Sequence, residues 1–328
     1  MEKRRVYGQL VCGLLLLLML AGCSRSAGQS ESPYLPGEEF VEETVVLEDE
    51  AVALAQGPAA LTTQVTAVAS GTRVKKNAQA VIDYSNAAQG YVMACYDQST
   101  DLRLKAQVKG PGATYTYNLT PKTWAAFPLS DGNGNYRITI YKNVQGSSYA
   151  AVLSLTIQVK LADEFAPFLH SNQYVDFDHA PKAVERAAQL TREISDPLKK
   201  VEVIYDYVVR ELTYDRQLAA TVKSGYLPVL DRVLEKKSGI CFDYAALMTG
   251  MLRSQGVPCK LVVGFAGSAY HAWISVWSEQ TGWVDGVIYF DGNHWQRMDP
   301  TFASSGKQSK AIMEYIGDGK NYQAKYFY

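Results

Sequence analysis

The chain has 328 residues, 47% of them hydrophobic, and a formal net charge of −1. That length can bury one or two ordinary cores, with two domains as the starting expectation. So even a balance gives no footing for nucleic acid, which calls for a clustered basic face. The 22 tyrosines favour pleated, half-buried surfaces and point to substantial β-structure.

Residues 1–22 read as an address rather than as fold. Lys3, Arg4 and Arg5 precede an apolar run from Leu10 to Ala21, too short for a comfortable membrane span and suited to a secretory signal. The run ends in Leu20-Ala21-Gly22-Cys23, which resembles the bacterial lipoprotein processing box. That resemblance implies cleavage before Cys23 and lipidation of its thiol, each buried lipid methylene adding about 0.8 kcal/mol of anchoring. The expected location is therefore extracytoplasmic, with the lipid anchor in the bacterial cell membrane. Cys95, Cys241 and Cys259 then remain, an odd number that leaves at least one thiol unpaired in the monomer.

Residues 23–60 read as an acidic tether. Between Glu31 and Glu50 stand eight acidic residues and no basic ones, so the segment self-repels and stays extended. Val45, Val46 and Leu47 interrupt it and leave room for a short ordered piece. Over residues 61–161 the pattern changes to strands. Leu102, Leu104, Ala106 and Val108 alternate with polar residues, as do Leu153, Leu155, Ile157 and Val159. Gly110-Pro111-Gly112, Asp131-Gly132-Asn133-Gly134 and Gly146-Ser147-Ser148 supply turns. The expectation is an all-β sandwich, Ig-like in size and rhythm. Its tyrosines, Tyr115, Tyr117, Tyr136 and Tyr141 among them, are either exposed contact residues or cross-strand pairs that stabilise the sheet.

Residues 162–328 turn to helical periodicity. Ala183, Ala187, Leu190 and Ile194 share one face, and Asp196-Pro197 reads as an N-cap followed by proline at the first helical position. Leu198, Val201, Tyr205, Val208 and Leu212 continue at three- and four-residue steps. A third helix begins near Cys241 and stops at Gly256, with Pro258 beyond. Strand-like runs follow at Lys260–Phe265, His271–Ser278 and Gly286–Phe290. Helices followed by antiparallel strands indicate an α+β layer architecture.

Cys241 follows Ser238-Gly239-Ile240 and opens an apolar helix. The positive end of a helix dipole and its free amides favour a thiolate, and the same amides can hold an oxyanion. Gly239 would leave the chain room to turn and a substrate room to enter. His271 lies in Tyr270-His271-Ala272-Trp273 and Asp299 in Met298-Asp299-Pro300-Thr301. Cysteine, histidine and carboxylate are the three groups that thiol-based acyl transfer needs. The same trio could bind zinc, but one cysteine and one histidine without a paired Cys-x-x-Cys or His-x-x-x-His give little support for a metal site. No cofactor is expected.

Gly239-x-Cys241, Tyr244-Ala245-x-Leu247, Met251-Leu252-Arg253, Gly256-Val257-Pro258 and Val262-x-Gly264 together resemble the core signature of the transglutaminase-like superfamily. His271-Ala272-Trp273 and Asp299-Pro300-Thr301 resemble its histidine and aspartate motifs, in the family's order. The resemblance implies a papain-like α+β fold, with the nucleophile helix packed on an antiparallel sheet, and catalytic roles for Cys241, His271 and Asp299. It also implies an upstream side chain that helps bind the oxyanion. Tyr214 is the candidate, the alternative being plain packing at a helix exit. Cys259 and Lys260 depart from the family's usual small residue and arginine, and Cys259 reads as buried and inert. The expected activity is acyl transfer on, or hydrolysis of, protein or peptide amides through a thioester at Cys241, with cell-wall peptide as one candidate substrate. The alternative is a catalytically silent binding scaffold on the same fold.

Overall fold

The computed structural model describes residues 66–278 and 322–328, together with strand segments 44–46, 282–285, 288–290 and 295–297. The signal segment, Cys23 and most of the acidic tether lie outside them.

The N-terminal half is built of strands. They are β1 (Thr44–Val46), β2 (Val74–Lys76), β3 (Ala80–Asp83), β4 (Tyr91–Tyr96), β5 (Leu104–Lys109), β6 (Thr114–Leu119), β7 (Ala125–Pro128), β8 (Gly134–Gln145) and β9 (Ser148–Val159). They form two sheets, ordered β2-β3-β4-β7 and β1-β9-β8-β5-β6. Period-two sequence makes these strands: along β5, Leu104, Ala106 and Val108 are buried while Lys105 and Gln107 are half-buried. The two sheets touch through Phe127 of β7, whose ring centroid lies 4.8 Å from that of Tyr117 of β6. Within the tether, Thr44–Val46 pairs parallel with β9, so the ordered piece there is an added edge strand.

In this half one strand start shifts, and three of the tyrosines take the packing alternative over the exposed one. Leu102 is 47% exposed and precedes β5, so the alternation begins two residues later. Tyr115, Tyr117 and Tyr136 are buried, not exposed. Tyr115 donates to Asp131 Oδ1 (2.6 Å) and Tyr136 to the carbonyls of Leu129 (3.1 Å) and Gly132 (2.8 Å), so these two rings are core with a hydrogen-bonded tip.

Beyond β9 come α1 (Pro181–Thr191), α2 (Pro197–Glu211), β10 (Thr213–Tyr214), α3 (Arg216–Thr221), α4 (Leu230–Lys236), β11 (Ser238–Gly239) and α5 (Cys241–Arg253). The strands β12 (Cys259–Ala266), β13 (Ala269–Ser278), β14 (Gly282–Asp285), β15 (Ile288–Phe290), β16 (Trp295–Arg297) and β17 (Tyr322–Phe327) follow. Helix α2 starts as its sequence dictates: Asp196 accepts from Leu198 N–H at 2.8 Å and Pro197 takes the first helical position. Helix α1 stops at Thr191, so Ile194 lies beyond it. Of the run expected over Gly286–Phe290, the described part, Ile288–Phe290, is a strand.

Helix α5 lies at the centre of this half, packed on β12 and β13 on one side and on α1, α2 and α4 on others. Every residue from Asp243 to Arg253 is buried, as befits a helix that is apolar nearly all round. Leu247, Met248, Met251 and Leu252 are fully buried, each worth about 1.5–3 kcal/mol of apolar burial. The sheet runs β14-β13-β12-β17. The C-terminal strand β17 therefore closes the sheet beside β12, a placement no motif signalled. Gly264 permits this: a Cβ there would run into the Gln323 carbonyl of β17. Buried Arg253 ties the layers together, donating to the main-chain oxygens of Cys259 (2.8 Å), His170 (2.8 Å) and Tyr328 (2.5 Å).

Candidate active site

Cys241 occupies the first position of α5. Ile240 before it has no side-chain acceptor, so the helix is capped from within. Asp243, three residues on, accepts the Ile240 N–H at 2.8 Å and the Tyr226 hydroxyl at 2.7 Å. Asp243 is fully buried, and burial pushes its carboxyl above the usual aspartate range, against the pull of those two donors. The sequence reading gave Gly239 the task of making room for substrate. The structure gives that space to Asp243: a Cβ on Gly239 would come within 2.5 Å of the Asp243 Cβ. Asp243 is thus a structural anchor for the helix start. The amides of the first turn have no acceptor within the helix, so donors remain beside the Cys241 sulfur.

A second short pairing fixes the approach to Cys241. Strands β10 and β11 run parallel, with Tyr214 opposite Gly239. Thr213 N–H donates to Lys237 O and Asp215 N–H to Gly239 O, both at 2.9 Å. Tyr214 is therefore held next to the strand that delivers the cysteine, and the next residue, Asp215, caps α3 by accepting from Leu218 N–H at 2.8 Å.

His271 lies on β13, opposite Gly264 of β12. Its ring sits 6.2 Å from that of Trp273 at an interplanar angle of 20°, and 6.4 Å from Tyr322 of β17. Trp273 is buried in the core, so the imidazole rests on a fixed aromatic platform.

Cys241, His271 and Tyr214 line one cleft of about 560 Å³. Cys241 is half-buried and its thiol is not in a disulfide. Tyr174, Tyr226 and Tyr270 add aromatic wall, and Lys105, Thr116 and Asn118 of the strand-rich half complete it. Those last three belong to the polar face of β5 and β6, which alternation alone marks as solvent-facing. The two halves are joined at this wall: Gln173 accepts the Asn118 N–H (2.9 Å) and donates to the Asn118 carbonyl (2.8 Å), and the Tyr174 hydroxyl donates to Thr116 O (2.9 Å).

Asp299 and His294 lie outside the described residues. Cys259 is fully buried, its thiol pushed up to about 12 by burial, and it donates to Thr249 Oγ1 at 3.6 Å. The inert reading of that residue agrees with this placement. Lys260 holds its ammonium 3.7 Å from the Trp283 ring centre and 4.8 Å from that of Phe168, an aromatic seat for the cation. His179 is exposed and bonded to Asp176 (2.8 Å), remote in role from the cleft. Among the described residues no cluster of three or more histidine, cysteine or acidic side chains could hold a metal ion.

A family model of the transglutaminase-like superfamily matches residues 184–300. The chain is 24% identical over 200 residues to the uncharacterized protein YebA of Bacillus subtilis, covering 55% of this chain and 27% of that protein. It is 27% identical over 119 residues to a protein-glutamine gamma-glutamyltransferase of Pseudomonas aeruginosa, covering 32% of this chain and 17% of that protein. The alignments thus span about a quarter or less of either relative. Among solved structures, the periplasmic domain of TgpA from Pseudomonas aeruginosa superposes at 17% identity and a TM-score of 0.34, covering 73% of this chain and 78% of that one.

Proposed function

Because this protein carries a domain of the transglutaminase-like superfamily over residues 184–300, we propose that it is a cysteine-dependent acyl-transfer enzyme with Cys241 as nucleophile, His271 as acid–base and Asp299 as the carboxylate that orients the imidazole. The observation that carries the proposal is the cleft in which a half-buried, helix-opening Cys241 and His271 stand together. The Cys241 sulfur attacks a carboxamide carbon, and first-turn amides of α5 receive the oxyanion, with the Tyr214 hydroxyl as a second donor. The C–N bond breaks as His271 gives its proton to the leaving nitrogen, and a thioester remains on Cys241. Water or an amine then attacks the thioester with His271 as base, freeing the thiolate and releasing an acid or a new amide.

The acyl donor is a protein or peptide carboxamide. The name of the Pseudomonas relative, a glutamine gamma-glutamyltransferase, supports the side chain of glutamine as the first donor to try. We further read residues 1–22 as a leader, Cys23 as the lipid-bearing residue, 23–60 as a tether and 61–161 as a separate Ig-like sandwich. That arrangement places the enzyme on the outer face of the cell membrane, within reach of cell-surface protein and cell-wall peptide. Purified protein assayed for dansyl-cadaverine incorporation and for peptide hydrolysis tests the reading. Activity in either assay that vanishes in Cys241→Ala and Asp299→Asn supports it. Binding of peptide without turnover in the unmutated protein leaves only the scaffold.

A further inference from the structure

The described lining of the cleft carries its formal charge on lysines. Among its described lining residues there is no aspartate or glutamate, and the two permanent charges are Lys105 and Lys223. Lys105 reaches it from β5 of the strand-rich half, and its ammonium donates to the neutral Asn118 Oδ1 at 2.5 Å. None of the ion pairs among the described residues involves it. Burial, then the neighbouring charge of Arg103, pulls its pKa below the ordinary lysine value. A half-buried ammonium with only an amide partner is under-neutralised, and an incoming anion is what would stabilise it most. The wall that carries it is not loose. Asn118 is clamped by its paired hydrogen bonds to Gln173, and the adjacent Thr116 carbonyl is held by Tyr174.

Resting on the assignment of Cys241 as nucleophile, we propose that the cleft selects acyl donors bearing a carboxylate close to the reacting carboxamide, and that Lys105, aided by Lys223, binds that carboxylate. The strand-rich half thereby acts as a specificity wall for chemistry housed in the other half. Tyrosines along the same cleft receive the neutral parts of the peptide, and the two ammonium groups fix its register. The carboxylate is either an acidic side chain or a free C-terminus.

The thiolate displaces iodide from iodoacetate and iodoacetamide alike, and the reagents differ by one carboxylate, so the ratio of their rates at Cys241 reads the charge of the cleft. At low ionic strength Lys105→Met should lower the iodoacetate-to-iodoacetamide ratio about threefold or more, an effect that fades at high salt. Lys105→Arg should restore it, and Lys223→Met should lower it less. An unchanged ratio in Lys105→Met, with Cys241 still labelled, overturns this inference and leaves the nucleophile standing. If neither reagent labels Cys241, the nucleophile assignment fails instead, and peptide binding to Cys241→Ala decides the charge question. Glutamine peptides with an adjacent glutamate and blocked ends, with a free C-terminus only, or with neither should then separate the two sources of carboxylate. The neutral peptide should bind the weakest, and Lys105→Met in that background should erase the difference. Equal binding of all three peptides overturns the inference.

Discussion

The two ends of α5 each lead to a cysteine, and the surroundings differ in every respect that governs thiol chemistry. At the N-terminal end, Cys241 is half-buried and lines a cleft shared with His271. At the other end the chain turns at Gly256 (φ +74°), and Cys259 enters β12 fully buried, its thiol pushed up to about 12 by burial. The N-terminal end leaves amide donors pointing outward, with Asp243 and Tyr226 holding the cap so that they stay there. The C-terminal end is filled by Arg253, which takes up three main-chain oxygens. One helix thus opens onto chemistry and closes onto structure, and the same residue type serves either purpose according to which end holds it.

Substitutions along this axis should separate the two ends. Cys241→Ala should lower turnover by about a millionfold, to background, in the assay that shows activity, the scale seen when the nucleophile of a catalytic unit is removed. Its unfolding midpoint in urea should stay close to that of the unmutated protein. His271→Ala should cost about 10²–10⁴-fold in kcat, and it should also slow alkylation of Cys241 near neutral pH. Arg253→Met should leave labelling of Cys241 largely intact while removing about 3–5 kcal/mol of stability, because three buried oxygens lose a charged donor. Chemical denaturation measures that loss.

Asp243→Ala should cost about 1–3 kcal/mol by freeing the Ile240 amide and the Tyr226 hydroxyl. The pH dependence here has a definite sign. The folded-state pKa of Asp243 is raised above its ordinary 3.8, chiefly by burial. Its contribution is therefore fully present below that ordinary value and is lost as pH rises through the raised one. Stability of the unmutated protein relative to Asp243→Asn should accordingly fall as pH climbs from the acid side, and a difference that grows with pH would contradict a raised carboxyl pKa. Cys259→Ala should have the smallest effect, about 1 kcal/mol, with no change in the pattern of thiol labelling of the folded protein.

Much of this arrangement was legible in the sequence, for identifiable reasons. Asp196-Pro197 announces α2 because capping and proline geometry are local. Leu153, Leu155, Ile157 and Val159 announce β9 because a strand with one buried face must alternate. Cys241 and His271 were found through motifs, and the structure sets both on the same cleft. What could not be read was set by long-range packing. Nothing near Lys105 distinguishes a cleft wall from a solvent face, since the difference arises only when Gln173 and Tyr174 draw the two halves together. Tyr115 of β6 and Tyr136 of β8 look like surface by their hydroxyls, yet half-buried Asp131 and the carbonyls of Leu129 and Gly132 accept from those tips. Gly239 was visible as a requirement, but its cause was Asp243, four residues on. The edge position of β17 has no local signal at all; Gly264 records it only as an absence of side chain.

The most direct test of the central claim is competitive alkylation of the folded, soluble part of the chain at about pH 6, with each cysteine quantified by mass spectrometry. The account predicts that Cys241 is modified faster than an equimolar free thiol such as glutathione, that Cys95 and Cys259 stay unmodified, and that His271→Ala removes the advantage. A Cys241 that reacts no faster than glutathione, or whose rate ignores the loss of His271, would contradict it.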